Sequence, residues 1–236
     1  MRLFFKKLLL GSKSVEHRPK VDALQKRVNN LRSIWNNEHY DDIGIEKILR
    51  LFLALSQFFF LGTYIKQIFG RNGLAYQDLS VEIFVLFKVC FPLWLLYSDQ
   101  HSNPVFFFLV IWFLVETMLY VTTLIFASDI FSRPRSYRRS MLLLFLNYLE
   151  IVFSFGVIYA GSDYFNKPFS HWFDPAYFSF ITSASIGYGD YFPVTAKGKF
   201  LVSIQSVIYL IFVVLFVNFF TNKVENKGYF DHNNKS

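Results

Sequence analysis

The chain has one cysteine, Cys90, so it has no internal disulfide. Cys90 lies in an apolar stretch and reads as inert packing. The five histidines, His17, His39, His101, His171 and His232, do not cluster at metal-ligand spacing. Gly11-Ser12-Lys13 lacks the upstream glycine of a phosphate-binding loop. No nucleophile–base pair is recognisable, so an enzyme is not expected. A cleavable leader is not expected either: Lys6 and Lys7 interrupt the apolar core of Met1 to Leu10, and no small-residue cleavage site follows. That segment reads as an amphipathic piece for a membrane surface.

What is present is apolar surface. Of 236 residues, 53% are hydrophobic and 21% aromatic, with 31 Phe. A soluble domain of this size rarely carries so much. Apolar stretches recur at bilayer-spanning length, which predicts an all-α integral membrane protein, multi-pass in the cell membrane. A net charge of +7 invites a nucleic-acid partner. The basic residues sit in tails and loops beside apolar segments, however, as cytoplasmic flanks do, so the expected partner is the lipid bilayer and not nucleic acid.

Residues 1–48 read as a basic cytoplasmic region, and 49–128 as N-terminal membrane helices. Leu51 to Ile65 is apolar but bracketed by Arg50 and Lys66, and short for a span unless these snorkel. Val81 to Ser98 carries Lys88 near its middle, and Val105 to Ala127 carries Glu116. Asp99 to Pro104 forms a polar turn between them. In an antiparallel hairpin Lys88 and Glu116 reach similar depth. A charge in the bilayer is costly and finds a partner, so the two are expected to pair or share a polar network, with Glu150 the competing partner. A structural tie is favoured over a transport role.

Residues 129–140 form a basic linker, and Met141 to Ala160 is the next span. Gly161 to Phe173 is a polar and aromatic connector. Asp174-Pro175 predicts an N-cap and a first helical position, opening a short helix over Ala176 to Ala184. Then comes Ile181 to Asp190, I-T-S-A-S-I-G-Y-G-D, and after Tyr191 to Lys197 a last span over Phe200 to Phe220. A dehydrated cation needs rings of oxygen in place of its water. Backbone carbonyls supply them if they all turn to one side, which glycine permits through positive φ. Ser185 adds a hydroxyl at the inner end. The C-terminal end of the short helix carries partial negative charge that favours a cation.

The stretch Thr182, Ser185-Ile186-Gly187-Tyr188-Gly189-Asp190, set between two spans, resembles the selectivity filter of the potassium channel pore-domain family. Ser185 replaces that pattern's second threonine, and Ile186 is a common alternative to valine. Residues 141–221 then read as span, connector, pore helix, filter, span, preceded by two or three membrane helices; 222–236 is a short cytoplasmic tail. The resemblance implies passive K+ conduction, with ion binding at Ser185, Ile186, Gly187, Tyr188 and Gly189. Thr182, Tyr177 and Asp190 would support the filter, and the Tyr188 ring would point away from the axis. The chain holds one filter, so four copies are expected to assemble as a homotetramer. No cofactor is implied; K+ is the permeant ion. Weakly selective cation conduction and a non-conducting membrane interaction subunit are the alternatives.

Several departures narrow the reading. Ile181 stands where some family members have a glutamate, so a carboxyl pair with Asp190 is absent; Tyr177 is expected to bond Asp190 instead. From Lys199 to Lys227 there is no glycine, which argues against a glycine hinge. Ser132 to Ser140 holds four arginines, but in a polar linker broken by Pro134 and not spaced along an apolar helix, so it is no voltage sensor. Ser203, Gln205, Ser206 and Asn218 line an inner cavity or form helix–helix hydrogen bonds, two readings of equal weight. His171 either senses external protons or is an ordinary surface residue. Asn234-Lys235-Ser236 matches a glycosylation triplet that a cytoplasmic tail would not expose to that machinery. One conflict stands: a basic N-terminus and a basic linker on the same side require an even number of spans before residue 141, and three candidates precede it.

Overall fold

The computed structural model describes residues 23–38, 42–71, 73–127, 137–161 and 163–224. The expectations for Met1 to Leu10, His17, His39, His232, residues 128–136 and the tail beyond Val224 lie outside them. Among the described residues the chain is helical, with a single isolated bridge between Phe165 and Pro193. The helices are α1 (Ala23–Trp35), α2 (Gly44–Ser56), α3 (Leu61–Gly70), α4 (Leu74–Tyr97), α5 (Pro104–Phe126), α6 (Tyr137–Ala160), α7 (Asp174–Ser183) and α8 (Ala196–Val224).

Four stretches are long and apolar enough to cross a bilayer: Ala75–Tyr97, Pro104–Phe126, Arg138–Ala160 and Ala196–Asn218. At 1.5 Å per residue each reaches roughly 35 Å, more than a hydrocarbon core of about 30 Å. The protein is a multi-pass membrane protein. Its helices begin earlier than apolarity alone suggests. α4 starts at Leu74, not Val81, and α6 at Tyr137, so Arg138 and Arg139 belong to the helix and not to the linker. Polar residues prolong a helix into the interface at little cost once the apolar turns have nucleated it. Pro92 lies inside α4, which continues through it. Cys90 is exposed on the surface of α4 and does not pack inside the chain.

The chain divides into two compact units, residues 1–91 with 111–134, and residues 92–110 with 135–236. In the first, Ile34, Leu53, Ala54 and Ala127 form a buried cluster that Leu31, Leu49, Leu51 and Leu119 enclose. Arg50 pairs with Asp42 at 2.8 Å, and both are buried. Arg27 lies 4.5 Å from the Tyr64 ring centre and hydrogen-bonds the Thr63 hydroxyl. The stretch expected as a short span is not one straight helix. α2 and α3 meet at a 59° bend, where Gln57–Phe59 tightens to a 3-10 turn and Phe60 is extended. With 13 and 10 residues, these helices are about 20 and 15 Å long, each too short to cross alone.

Lys88 and Glu116 are both buried in this unit. The Lys88 ammonium hydrogen-bonds the Thr117 hydroxyl and lies 5.7 Å from the ring centres of Phe84 and Phe113. The Glu116 carboxylate accepts the Gly62 N–H at 3.1 Å and lies within electrostatic reach of Lys88. Glu116 thus also ties the start of α3 to α5.

In the second unit, α6 packs closely on α7. A Cβ added to Gly156 would lie 3.1 Å from the Ala176 Cα and 3.2 Å from its N. Glycine there is a packing requirement: it lets the short helix lie against the span with backbone nearly touching backbone.

Candidate functional site

The site is built from α7, the loop before it and the extended segment after it. α7 begins at Asp174, with Pro175 in its first turn, where a missing N–H costs nothing. Asp174 is therefore not the N-cap the sequence suggested; Phe173 holds that position without a side-chain cap bond. The Asp174 carboxylate faces back into the loop. Its Oδ2 accepts the Ser170 N–H and hydroxyl and the His171 N–H, each at 3.0 Å, and the Tyr191 hydroxyl at 2.8 Å. Burial alone would raise its pKa. The hydrogen bonds from Tyr191, His171 and Ser170 outweigh this and hold the carboxyl below its ordinary range. Asp174 thus braces the loop that leads into the helix and the segment that follows the glycines.

The C-terminus of α7 ends in a Schellman motif. The Ser185 N–H donates to the Thr182 carbonyl at 3.0 Å, and the Ile186 N–H to the Ile181 carbonyl at 2.9 Å. This motif needs a left-handed residue, and Ser185 supplies it with φ 55°. Sequence reasoning assigned positive φ to the glycines alone. Ser185 escaped it because glycine, not serine, is the usual residue at that place. The segment continues with φ 58° at Gly187 and 81° at Gly189, while Ile186 and Tyr188 stay at negative φ. Alternation of hand along a chain turns successive carbonyls to the same side, where a β-strand would alternate them.

Ser185 to Gly189 is exposed in the chain taken alone, with Ile186 at 50% and Tyr188 at 71%. A Cβ at Gly187 or Gly189 would meet nothing within 4 Å. These two glycines answer to backbone conformation and not to crowding within the chain. Tyr177 sits beside the Asp190 carboxylate, close enough for the two to interact. Among the described residues, Asp190 Oδ1 is buried without a hydrogen-bond partner.

An outer clamp holds the segment after the glycines. Asn166 donates its backbone N–H to the Phe192 carbonyl at 3.1 Å, and its side-chain oxygen accepts the Phe192 N–H at 3.0 Å. The Val194 N–H donates to the Tyr164 carbonyl at 2.8 Å. The Tyr191 ring packs on Phe169 at 4.9 Å, with the Lys167 ammonium 4.5 Å from its centre. Asn166 and Tyr191 were not singled out from sequence; nothing in the order of residues shows that Asn166 of the connector meets Phe192, 26 positions later. The chain then enters α8 through Thr195, whose hydroxyl caps the Gly198 N–H at 3.1 Å.

Of the four polar residues Ser203, Gln205, Ser206 and Asn218, Gln205 forms helix–helix hydrogen bonds. It is 1% exposed, and its amide sits among Ser179, Ser183 and Tyr159 behind α7. Ser203 and Ser206 bond the carbonyls of Lys199 and Val202 on their own helix, and Ser203 and Asn218 are exposed. His171 is exposed, and its Nδ1 accepts the Phe173 N–H at 3.2 Å. Among the described residues no group of three or more His, Cys, Asp or Glu could hold a metal ion.

Residues 142–226 match a family model described as Ion channel. The match runs from the first turns of α6 through the end of α8, and so contains the whole of the site. The chain carries an ion-channel-like helical module. No curated protein and no solved structure matches it.

Proposed function

We propose that this protein conducts K+ passively and selectively through a pore formed by four copies of the chain. One observation carries the reading: positive φ alternates at Ser185, Gly187 and Gly189, in an exposed segment at the C-terminus of a buried short helix. Carbonyls turned to one side form one wall of a cage. A closed cage for a dehydrated ion needs several such walls about an axis. The oxygens from Ser185 to Gly189 bind the ion; Thr182, Tyr177 and Asp190 support them. The exposed Tyr188 ring packs against a neighbouring subunit.

The test is flux through purified protein in liposomes with K+ and Na+ in competition. K+ uptake well above Na+ uptake is the expected result. Equal permeability would favour weakly selective cation conduction. No K+ flux at any voltage, pH or calcium level would favour a non-conducting interaction subunit.

The bent pair α2–α3 does not cross the membrane in this reading. Two spans then precede residue 141, and the N-terminus and the basic linker share the cytoplasmic side. Lys88 and Glu116 are a structural tie. Removing one partner leaves a buried charge, so Lys88→Met alone should cost about 3 kcal/mol, more than Lys88→Met with Glu116→Gln. Thermal melting in detergent measures both; additive losses would show that the two do not pair.

A further inference from the structure

We propose that Gln205 is a positioning residue for the filter: its side-chain amide fixes the inner end of α7, and through it the placement of Ser185 and the discrimination between K+ and Na+. This rests on the conduction reading above. Gln205 belongs to the last span, and its hydrogen bonds go to Tyr159 on α6 and to Ser179 and Ser183 on α7.

The geometry is specific to an amide. Gln205 Nε2 donates towards the Ser179 carbonyl at 2.9 Å and the hydroxyls of Ser179 and Ser183, each at 2.7 Å. Gln205 Oε1 accepts the Tyr159 hydroxyl at 2.6 Å. The Ser179 hydroxyl donates in turn to the Val152 carbonyl at 2.5 Å. One side chain on α8 thereby joins α6 and α7, in a region where Ser179, Ser183 and Tyr159 are almost wholly buried. The two N–H bonds of the amide are shared among these three acceptors while its oxygen takes the Tyr159 hydroxyl, so donor and acceptor are needed on one side chain. A carboxylate would face the Ser179 carbonyl with like charge. Asparagine is one methylene too short, and methionine fills the space but takes away the acceptor of the buried Tyr159 hydroxyl and the amide donor to Ser179 and Ser183.

The link to the filter is short. Ser183 is the last residue of α7. Two residues on, Ser185 takes the left-handed turn that opens the exposed segment. The bonds from Ser185 to Thr182 and from Ile186 to Ile181 make that turn move with the helix end. Any drift of Ser183 is therefore passed to Ser185, and a site that selects by the arrangement of its oxygens feels it.

The experiment uses the full-length protein in liposomes and reads the K+/Na+ permeability ratio beside the melting temperature, for Gln205→Met, Ser183→Ala and the pair. Gln205→Met should lower the ratio about tenfold, the scale of a lost buried hydrogen bond. Ser183→Ala should lower it about threefold, and the double variant should be no worse than Gln205→Met, since both act through one contact. A ratio unchanged in Gln205→Met while the melting temperature falls would overturn the proposal, because a purely structural role predicts that split. If Gln205→Met does not assemble, Ser183→Ala decides, and a wild-type ratio in that variant overturns the proposal. A wild-type protein without K+ preference would remove the conduction reading and this inference together; a selective wild type with indifferent variants removes the inference alone.

Discussion

The short helix α7 and the segment that follows it are adjacent in sequence and opposite in character. α7 is held within its own chain. Gly156 lets α6 approach its backbone, Gln205 bonds its inner end, and Asp174 and Tyr191 brace its outer end. The segment from Ser185 to Gly189 has little of this: it is exposed, and a Cβ added at either glycine would meet nothing within 4 Å. A single chain therefore completes the support and leaves the oxygen-bearing surface open. In the proposed assembly that surface is finished by the other copies. The contrast also explains two kinds of glycine. Gly156 is needed because something is too near; Gly187 and Gly189 are needed because the backbone turns left-handed.

That contrast can be broken. Gly187→Ala or Gly189→Ala should have the largest effect on function. A left-handed alanine costs roughly 1–2 kcal/mol, repeated in every copy, so K+ flux should fall at least about tenfold. The fold of the single chain should survive, because the added methyl meets nothing. Flux at the wild-type level in both variants would count against the filter assignment. Gly156→Ala should do the reverse and act first on stability. Its methyl must displace the Ala176 backbone, at a cost of about 1–3 kcal/mol, read as a lower melting temperature with flux lost in proportion to folded protein.

The smallest expected effect sharpens the comparison at the outer end. The Asp174 carboxyl is held below its ordinary range by its hydrogen bonds. Its contribution is therefore present above the unfolded carboxylate pKa of about 3.9 and lost as pH falls through the lower folded value. Trp172 fluorescence should report an outer loop that stays intact to about pH 4 and loosens only below it. Asp174→Asn should loosen the loop at every pH and flatten that acid response. An unchanged acid response in the variant would show that the brace lies elsewhere.

Much of this was legible in the order of residues. Four long helices announced themselves by apolar length beside a fifth, shorter candidate, the turn at Asp99 to Pro104 by its polarity, and the positive φ at Gly187 and Gly189 by the glycines themselves. Segment lengths and glycine positions are local properties, and a chain in a bilayer has few ways to satisfy them. What escaped was directional. Gln205 could equally have faced a cavity, Asp174 could have capped its helix, and Asn166 gave no sign that it would clasp Phe192. The bend at Phe60 was equally silent: the stretch from Leu51 to Ile65 read as short for a span, but no proline within it marks a break.

The sequence by itself therefore determined the class of the protein, the four longest apolar stretches and two of the places, Gly187 and Gly189, where the backbone turns left-handed. These follow from hydrophobicity and from the absence of a Cβ. Only the tertiary structure decided which polar side chains look inward and which helices they join. A helix has several faces, and packing against its neighbours chooses among them.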